Sequence, residues 1–225
     1  MSGDLWYVFN WDVIWRHFDK LYLGLALGLG IAVLSLLIGC LIGLAAAVAR
    51  SSGPRSLRIA TTAYIEFIRN IPILLLAYFC FYGLPHLGIR FLDNVWSFVF
   101  ALSIYASAYL AEVFRAGIAS VPAAYLEAGK AIGLTRFQRF RYVTFPITLR
   151  IVLPSLSNNF ISLFKDTSLA SAIAVPELTW GAMWINVNTF RVLEAWIIAG
   201  LLYLGTCYAI ALALRAVERR YAVIR

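Results

Sequence analysis

Short catalytic and nucleotide-binding motifs are absent from this sequence. It contains no GxxxxGKS/T phosphate loop, no HExxH pair, no CxxC and no GxSxG. Histidine occurs twice and cysteine three times in 225 residues. Without a phosphate loop, the chain is not expected to hydrolyse ATP by that route. A metal-dependent, nucleophilic or membrane-embedded enzyme would need a convergent set of ligands, acids or bases. We find no such set, so we expect no enzyme and no bound metal or cofactor.

Charged residues are scarce as well. They make up 13% of the chain, against 62% hydrophobic residues, and the mean hydropathy is +0.82. Soluble domains are roughly a quarter charged, so the composition predicts an integral membrane protein in contact with the lipid bilayer. The net charge of +8 is then explained by membrane topology, and nucleic acid is not an expected partner.

Long uncharged stretches predict an all-α membrane protein with about five transmembrane helices, since crossing the hydrocarbon takes roughly 20 apolar residues. The predicted helices lie near residues 21–49, 59–84, 95–117, 151–175 and 193–214. Lys165 and Asp166 interrupt the fourth stretch. In the first helix, Gly39 and Gly43 form a GxxxG pair, which predicts the close approach of a neighbouring helix.

The distribution of basic residues predicts which side of the membrane is inside. Lysine and arginine exceed acidic residues in the three segments that five spans place on one side, 50–58, 115–150 and 215–225. The segments on the opposite side carry no net positive charge. The N-terminus is therefore predicted outside and the C-terminus inside. The predicted parts are an outer N-terminal segment (1–20), a transmembrane domain (21–215) and a cytoplasmic tail (216–225).

The N-terminal segment has the pattern of a short helix at the outer membrane surface. Apolar residues recur there at helical spacing, opposite the charges, and they are Trp11, Ile14, Trp15, Phe18 and Tyr22. Such an amphipathic helix is expected to lie in the headgroup zone. An unstructured tail with scattered aromatic residues is the alternative.

Residues 120–146, which we call the hook, form the most informative stretch. Ser120 and Pro122 predict the start of a helix, and Gly133 predicts its end, since glycine adopts left-handed backbone without steric cost. Thr135 and Gln138 then have the spacing of a capping box, which predicts a second short helix. That helix is expected to run through Val143, with Pro146 marking its end.

The hook also presents a surface suited to another protein. Ala124, Ala128 and Ala131 recur on one side of its first predicted helix, and small residues let a helix seat deeply in a groove. Arg136 and Arg139 lie nearby. The alternative is a basic amphipathic loop that rests on anionic lipid.

Polar residues inside the predicted spans form a second candidate site. A charged side chain at mid-membrane costs roughly 2.5–3.5 kcal/mol, so such residues are functional candidates. The predicted lining of a translocation pathway comprises Glu66, Arg69, Asn70, Asn158, Asn159, Lys165, Asp166, Thr167 and Ser168. For Lys165 and Asp166, an ion-pair network that fixes helix packing is an equally good interpretation, and for Glu66 and Arg69 a local structural ion pair is the preferred one. Tyr105 and Tyr109 are further pathway candidates that the sequence does not rank.

Three segments resemble one family, the ABC importer permeases for polar amino acids of the histidine, glutamine and glutamate type. EAGKAIG followed by VTFP is similar to their EAA loop at Glu127, Ala128, Gly133 and Pro146. Gly129 stands where the family usually has alanine, and Phe145 where it usually has leucine. EFIRNIP at 66–72 and KDTSL at 165–169 resemble two further segments of these permeases.

The resemblance implies the membrane-spanning subunit of a type I ABC importer in the cell inner membrane. The hook then contains the cytoplasmic coupling helix, with Glu127, Ala128, Gly129, Gly133 and Pro146 as its coupling residues. The implied partners are two ATP-binding cassette subunits that hold ATP and Mg²⁺, a second permease of the same or a similar kind, and an extracytoplasmic binding protein. Apart from Asp166, the fourth span has no carboxylate to pair with a cationic side chain, so neutral or acidic amino acids are the expected substrates. The alternative is a secondary transporter or channel subunit that works without ATP and has no need of the hook.

Overall fold

The computed structural model describes residues 7–90 and 92–221. Throughout these ranges the regular structure is helical and no strand occurs. The helices are α1 (Asp12–Arg16), α2 (Phe18–Ser52), α3 (Arg55–Arg69), α4 (Ile73–His86), α5 (Asn94–Ala119), α6 (Ala123–Ala131), α7 (Arg136–Ile173), α8 (Leu178–Thr189) and α9 (Val192–Tyr221). Residues 1–6 of the predicted outer segment and 222–225 of the predicted tail lie outside the described residues.

The number of predicted spans agrees with the structure. In the described part of the chain, α2, α5, α7 and α9 are each long and apolar enough to cross a bilayer. Helices α3 and α4 reach the same standard together, although the chain bends by 102° between them. The prediction of an all-α membrane fold with about five spans is therefore confirmed.

The second span is broken where one helix near 59–84 is predicted. Helix α3 ends at Arg69, and Pro72 precedes α4. Proline has no N–H to donate and disfavours helical backbone in the residue before it, so the helix cannot continue in register. At the break, the Asn70 side-chain amide donates a hydrogen bond at 2.7 Å to the carbonyl oxygen of Glu66, which also accepts the Asn70 backbone N–H at 3.2 Å.

The fourth span is longer than the predicted 151–175. Helix α7 begins at Arg136 and passes through a π-helical turn, Phe140–Thr144, before regular α-helix continues to Asp166. The prediction that Pro146 ends a short helix is wrong. The wider π turn lies directly before this proline, where the regular hydrogen-bond ladder would need the missing N–H, and the helix therefore continues through it.

The core forms where α2 lies along α5. A Cβ atom at Gly43 would stand 2.9 Å from the carbonyl oxygen of Ser107, and one at Gly39 would stand 2.8 Å from the Cβ of Ala106. No side chain fits at either position without a shift of the neighbouring helix. The close approach that the GxxxG pair predicts is confirmed, and the main apolar cluster of α2, α4, α5 and α7 surrounds it.

A second apolar cluster joins α1 and α2 to α8 and α9. Ile14 is buried in it, whereas Trp11 and Trp15 are exposed. A five-residue helix, α1, lies within the predicted N-terminal segment. The carboxylate of Glu194, at the start of α9, accepts hydrogen bonds from the Tyr7 hydroxyl and from the backbone N–H of Asn10. These bonds connect the chain before α1 to α9. The location of α1 in the headgroup zone stays a prediction.

Candidate functional site

The first helix of the hook is α6, and it ends as the sequence predicts. Gly133 has a φ of +80°, the left-handed backbone that favours glycine. Its N–H donates to the carbonyl oxygen of Lys130 at 2.9 Å, and the N–H of Leu134 donates to that of Gly129 at 3.0 Å. These two bonds form a Schellman motif, which satisfies the terminal carbonyls of the helix and fixes the direction of the chain that follows.

The second arm of the hook begins with the predicted capping box. The Thr135 hydroxyl accepts a hydrogen bond from the backbone N–H of Gln138 at 3.3 Å, and the Thr135 N–H donates to the Gln138 side-chain oxygen at 2.8 Å. The arm then runs without interruption into α7, so Pro146 lies inside the span. The hook is thus a short helix, a fixed turn and the first turns of a membrane-crossing helix.

Gly129 contributes to the hook in a way that the sequence does not reveal. It is buried under Arg139, and an added Cβ atom would lie 3.2 Å from the Arg139 Cγ. The Arg139 guanidinium crosses the turn and donates to the carbonyl oxygen of Leu134 at 3.1 Å. Alanine is usual at this position in the family that the sequence resembles. Because Gly129 has no side chain, Arg139 of α7 has room to pack against α6.

The outward surface of the hook is apolar with basic residues beside it. The predicted alanines Ala124, Ala128 and Ala131 are all exposed, as is Glu127. Large apolar side chains are exposed with them, namely Tyr125 (55%), Ile132 (76%), Phe137 (76%) and Tyr142 (67%). We call these alanines and large apolar residues the hook surface. The large apolar members of this surface were not predicted, although the sequence shows apolar residues in a basic segment between spans, a pattern that indicates a protein contact.

A second site, the polar cavity, lies between α5 and α7. It has a volume of about 230 Å³, and its lining comprises Tyr105, Ala106, Tyr109, Asn159, Ser162, Leu163 and Asp166. Two of the predicted pathway residues, Asn159 and Asp166, are therefore brought together with both candidate tyrosines. Ser162 was missed, although it lies one turn from each of these two residues on the same helix face.

A short chain of polar contacts connects the polar cavity with the break between α3 and α4. The Tyr105 hydroxyl donates to the Tyr109 hydroxyl at 3.3 Å, and the Tyr109 hydroxyl lies 3.5 Å from the carbonyl oxygen of Arg69. The Arg69 guanidinium carbon lies 5.3 Å from the centre of the Tyr109 ring, within the range of a cation–π contact. Arg69 thus borders the site through Tyr109.

The remaining predicted pathway residues do not line the polar cavity. Asn158, Lys165 and Glu66 are exposed, and among the described residues Glu66 forms no ion pair with Arg69. Thr167 is fully buried, and its hydroxyl donates a hydrogen bond at 2.6 Å to the carbonyl oxygen of Phe164. Asn70 caps α3. The carbonyl oxygen of Ser168 accepts a hydrogen bond from the Ser171 hydroxyl at 2.7 Å. Within the described ranges, no group of three potential metal ligands occurs.

Comparison with known proteins gives consistent matches over nearly the whole chain. The family model described as "Binding-protein-dependent transport system inner membrane component" matches residues 39–223. The glutamine transport system permease protein GlnP of Escherichia coli (strain K12) is 36% identical over 218 residues, 96% of this chain and 99% of that protein. The L-cystine transport system permease protein TcyB of Bacillus subtilis (strain 168) is 37% identical over 212 residues, 93% of this chain and 90% of that protein.

Two solved structures have the same fold. The crystal structure of an amino acid ABC transporter with histidines superposes with a TM-score of 0.87 at 31% identity, covering 95% of this chain and 100% of that chain. The MetNI methionine ABC transporter in an inward-facing conformation superposes with a TM-score of 0.72 at 17% identity, covering 96% of this chain and 100% of that chain. The second likeness concerns the fold alone.

Proposed function

This chain belongs to the family of binding-protein-dependent transport system inner membrane components, and from that premise we propose how its parts divide the work of transport. The chain is a multi-pass permease subunit of an amino-acid ABC importer in the inner membrane. Its family implies ATPase and binding-protein partners. We propose a docking surface for the ATPase, residues that meet the substrate and a composition for the complex.

The hook surface is the docking site for an ATPase subunit in this proposal. The observation that carries it is the exposure of Ile132 and Phe137 beside the alanine face of α6, whose C-terminal end is fixed by the Schellman motif. Exposed apolar groups of this size favour burial against another protein. The proposed coupling residues Glu127, Ala128, Gly129, Gly133 and Pro146 contribute the exposed face, the turn and the start of the span.

Helix α7 transmits the movement of the hook. From Arg136 to Asp166 it forms one helical rod of about 45 Å, at roughly 1.5 Å per residue. When ATP binding closes the two ATPase subunits on each other, the hooks are drawn together and α7 moves with them. The polar cavity lies near the far end of the same rod, so its shape changes in the same step. The permease itself makes and breaks no covalent bond.

The polar cavity is the proposed contact site for a zwitterionic amino acid. The Asp166 carboxylate is suited to the substrate ammonium group, and the Asn159 amide with the two tyrosine hydroxyls is suited to its carboxylate and polar groups. The volume of about 230 Å³ lies below the roughly 300–1,000 Å³ usual for drug-sized ligands, which fits a small solute. Because Asp166 is engaged by the ammonium group, no carboxylate is left for a cationic side chain. We therefore favour a neutral polar amino acid.

The complete transporter contains more than one permease in this proposal. A single set of five spans cannot enclose a pathway that is gated on both sides, and α9 leaves most of its apolar surface uncovered in one copy. We propose a pair of permeases, two ATP-binding cassette subunits that hold ATP and Mg²⁺, and an extracytoplasmic binding protein. An ATP-independent secondary transporter would have no use for the hook surface.

The docking role is tested by co-purification with the variant Gly133→Asp. Gly133 has left-handed backbone and no neighbouring atom within 4 Å of an added Cβ, so the variant strains the turn without a clash in the core. Gly88 offers a matched control, because it has a φ of +91°, equally free surroundings and a position outside the hook. We expect the ATPase subunit to co-purify with the wild type and with Gly88→Asp, and to be lost with Gly133→Asp.

Two results would contradict the proposal. Normal co-purification of Gly133→Asp would show that the hook is not the docking site. Absence of an ATPase from the wild type, together with solute transport by the purified chain in liposomes without ATP, would establish the secondary transporter instead.

A further inference from the structure

A large cavity with four arginines in its wall opens at the ends of α2, α3 and α5 that the charge distribution places inside. Its volume is about 940 Å³, and Arg50, Arg55, Arg58 and Arg115 line it. We call it the basic cavity. It shares no lining residue with the polar cavity or with the hook. Neither the coupling role of the hook nor the passage of substrate therefore accounts for it.

The positive charge of the basic cavity is only partly balanced. Glu112 forms ion pairs with Arg50 and, at 2.8 Å, with Arg115. Among the described residues, Arg55 and Arg58 form no ion pair. The preference for basic residues inside explains why arginines occur on this side. It does not explain why four of them converge on one cavity with a single carboxylate, an arrangement that attracts an anion.

The positions of Arg55 and Arg58 in α3 are electrostatically unfavourable for a positive charge. Both lie at the beginning of α3, where the helix dipole is positive and cations are destabilised. Pro54 at the N-cap provides no side-chain hydrogen bond, and the first turn contains no acidic residue. An anion held between the two guanidinium groups would offset this repulsion.

The wall of the basic cavity is apolar next to the arginines. Ile59 and Ala63 line the cavity one and two turns further along α3, and Ile118 lines it from α5. A free inorganic anion would use the guanidinium groups and leave these apolar groups in contact with water. A phospholipid would use both, since its phosphate suits the planar fork of arginine and its acyl chain suits an aliphatic wall.

We propose that the basic cavity binds a phospholipid with an anionic headgroup from the inner leaflet, with Arg55 and Arg58 contacting the headgroup phosphate and the acyl chain lying along Ile59 and Ala63. Arg50 and Arg115 are held by Glu112 and shape the cavity around the bound lipid. The permease thus has a specific site for a membrane component, in addition to its general contact with the bilayer.

The test uses the full chain purified with its co-purifying subunits, and acyl-labelled phosphatidylglycerol as the probe. Phosphatidylcholine, whose headgroup has no net charge, is measured in parallel. We expect R55Q/R58Q to weaken phosphatidylglycerol binding by about tenfold or more, because each arginine–phosphate pair is a charge-assisted hydrogen bond. Phosphatidylcholine carries the same phosphate beside a choline cation that the arginines repel, so it should bind the wild type weakly and lose less affinity in the double variant. The control R215Q/R220Q removes the same charge from the exposed end of α9 and should leave both affinities unchanged.

Three outcomes would overturn the proposal. An equal loss in R55Q/R58Q and in R215Q/R220Q would mean that overall surface charge governs lipid binding. Displacement of the labelled lipid by millimolar inorganic phosphate would mean a site for a soluble anion. If the double variant does not fold, R55Q and R58Q replace it individually, and unchanged phosphatidylglycerol affinity in both would refute the site. The measurement involves no ATP and no transport, so it is independent of the proposed function.

Discussion

Asp166 is the carboxylate in the wall of the polar cavity, and its neighbour Lys165 is exposed outside that wall. Adjacent residues of a helix point about 100° apart, so only one of the two can face the space between α5 and α7. The two positions therefore separate the proposed substrate contact, at Asp166, from an exposed position, at Lys165. The same rotation separates Asn159, which lines the polar cavity, from the exposed Asn158.

At the residue scale, Asp166→Asn should lower amino-acid transport while leaving the complex intact. A hydrogen bond to a charged group contributes about 1.5–3 kcal/mol, which corresponds to a loss of about 10- to 100-fold. The measurement is ATP-dependent uptake into proteoliposomes at saturating binding protein. Lys165→Gln, one position away, is the control and should retain most of the activity. Equal losses in the two variants would remove Asp166 from the proposed contact site.

At the element scale, α7 unites parts that the sequence presents as separate. The capping box, the glycine turn and the alanine face are local patterns, so the first helix of the hook, its turn and the start of its second arm were predictable from the sequence. The continuation of α7 through Pro146 was not, because a π turn is favoured by packing around it and has no simple sequence signal. The bend between α3 and α4 is similar: Pro72 indicates an interruption, but the angle of 102° depends on the packing of both helices.

A second prediction concerns the stiffness of α7 at the π turn. Arg141 and Tyr142 are exposed there, so both can be replaced without disturbing the core. The double variant R141G/Y142G should reduce the amount of amino acid transported per ATP hydrolysed, because each glycine weakens a helix by about 1 kcal/mol relative to alanine. Co-purification of the ATPase should fall to the same extent in this variant and in its alanine control, because Tyr142 belongs to the hook surface.

The matched control is R141A/Y142A, which removes the same side chains and keeps a good helix former at both positions. If transport per ATP falls equally in the alanine and glycine variants, the side chains matter and the stiffness of the rod does not. Undiminished co-purification of the ATPase in both variants would remove Tyr142 from the hook surface.

At the scale of the whole molecule, composition predicts the membrane-spanning architecture but does not predict the polar cavity. Long uncharged stretches follow from the cost of burying charge in hydrocarbon, so the spans could be predicted one by one. The polar cavity depends on how α5 and α7 face each other across the core, which no single stretch encodes. Of the nine predicted pathway residues, Asn159 and Asp166 line the polar cavity and Arg69 borders it.

The predicted orientation of the chain in the membrane can be tested by cysteine labelling. In a background in which the three native cysteines are replaced by serine, a membrane-impermeant maleimide applied to intact cells with a permeabilised outer barrier should label Val8→Cys and spare Arg220→Cys. Both side chains are exposed, so accessibility within the protein does not bias the comparison. Labelling in the reverse pattern would place the basic segments outside.

The break between α3 and α4 has an electrical consequence. Helix α3 ends with its negative pole at the break, and α4 begins there with its positive pole, each equivalent to roughly half an elementary charge. The carbonyl oxygen of Arg69, at the negative pole, lies 3.5 Å from the Tyr109 hydroxyl at the edge of the polar cavity. Part of the electric field at this edge of the polar cavity therefore comes from the main chain, and side-chain substitutions leave that part in place.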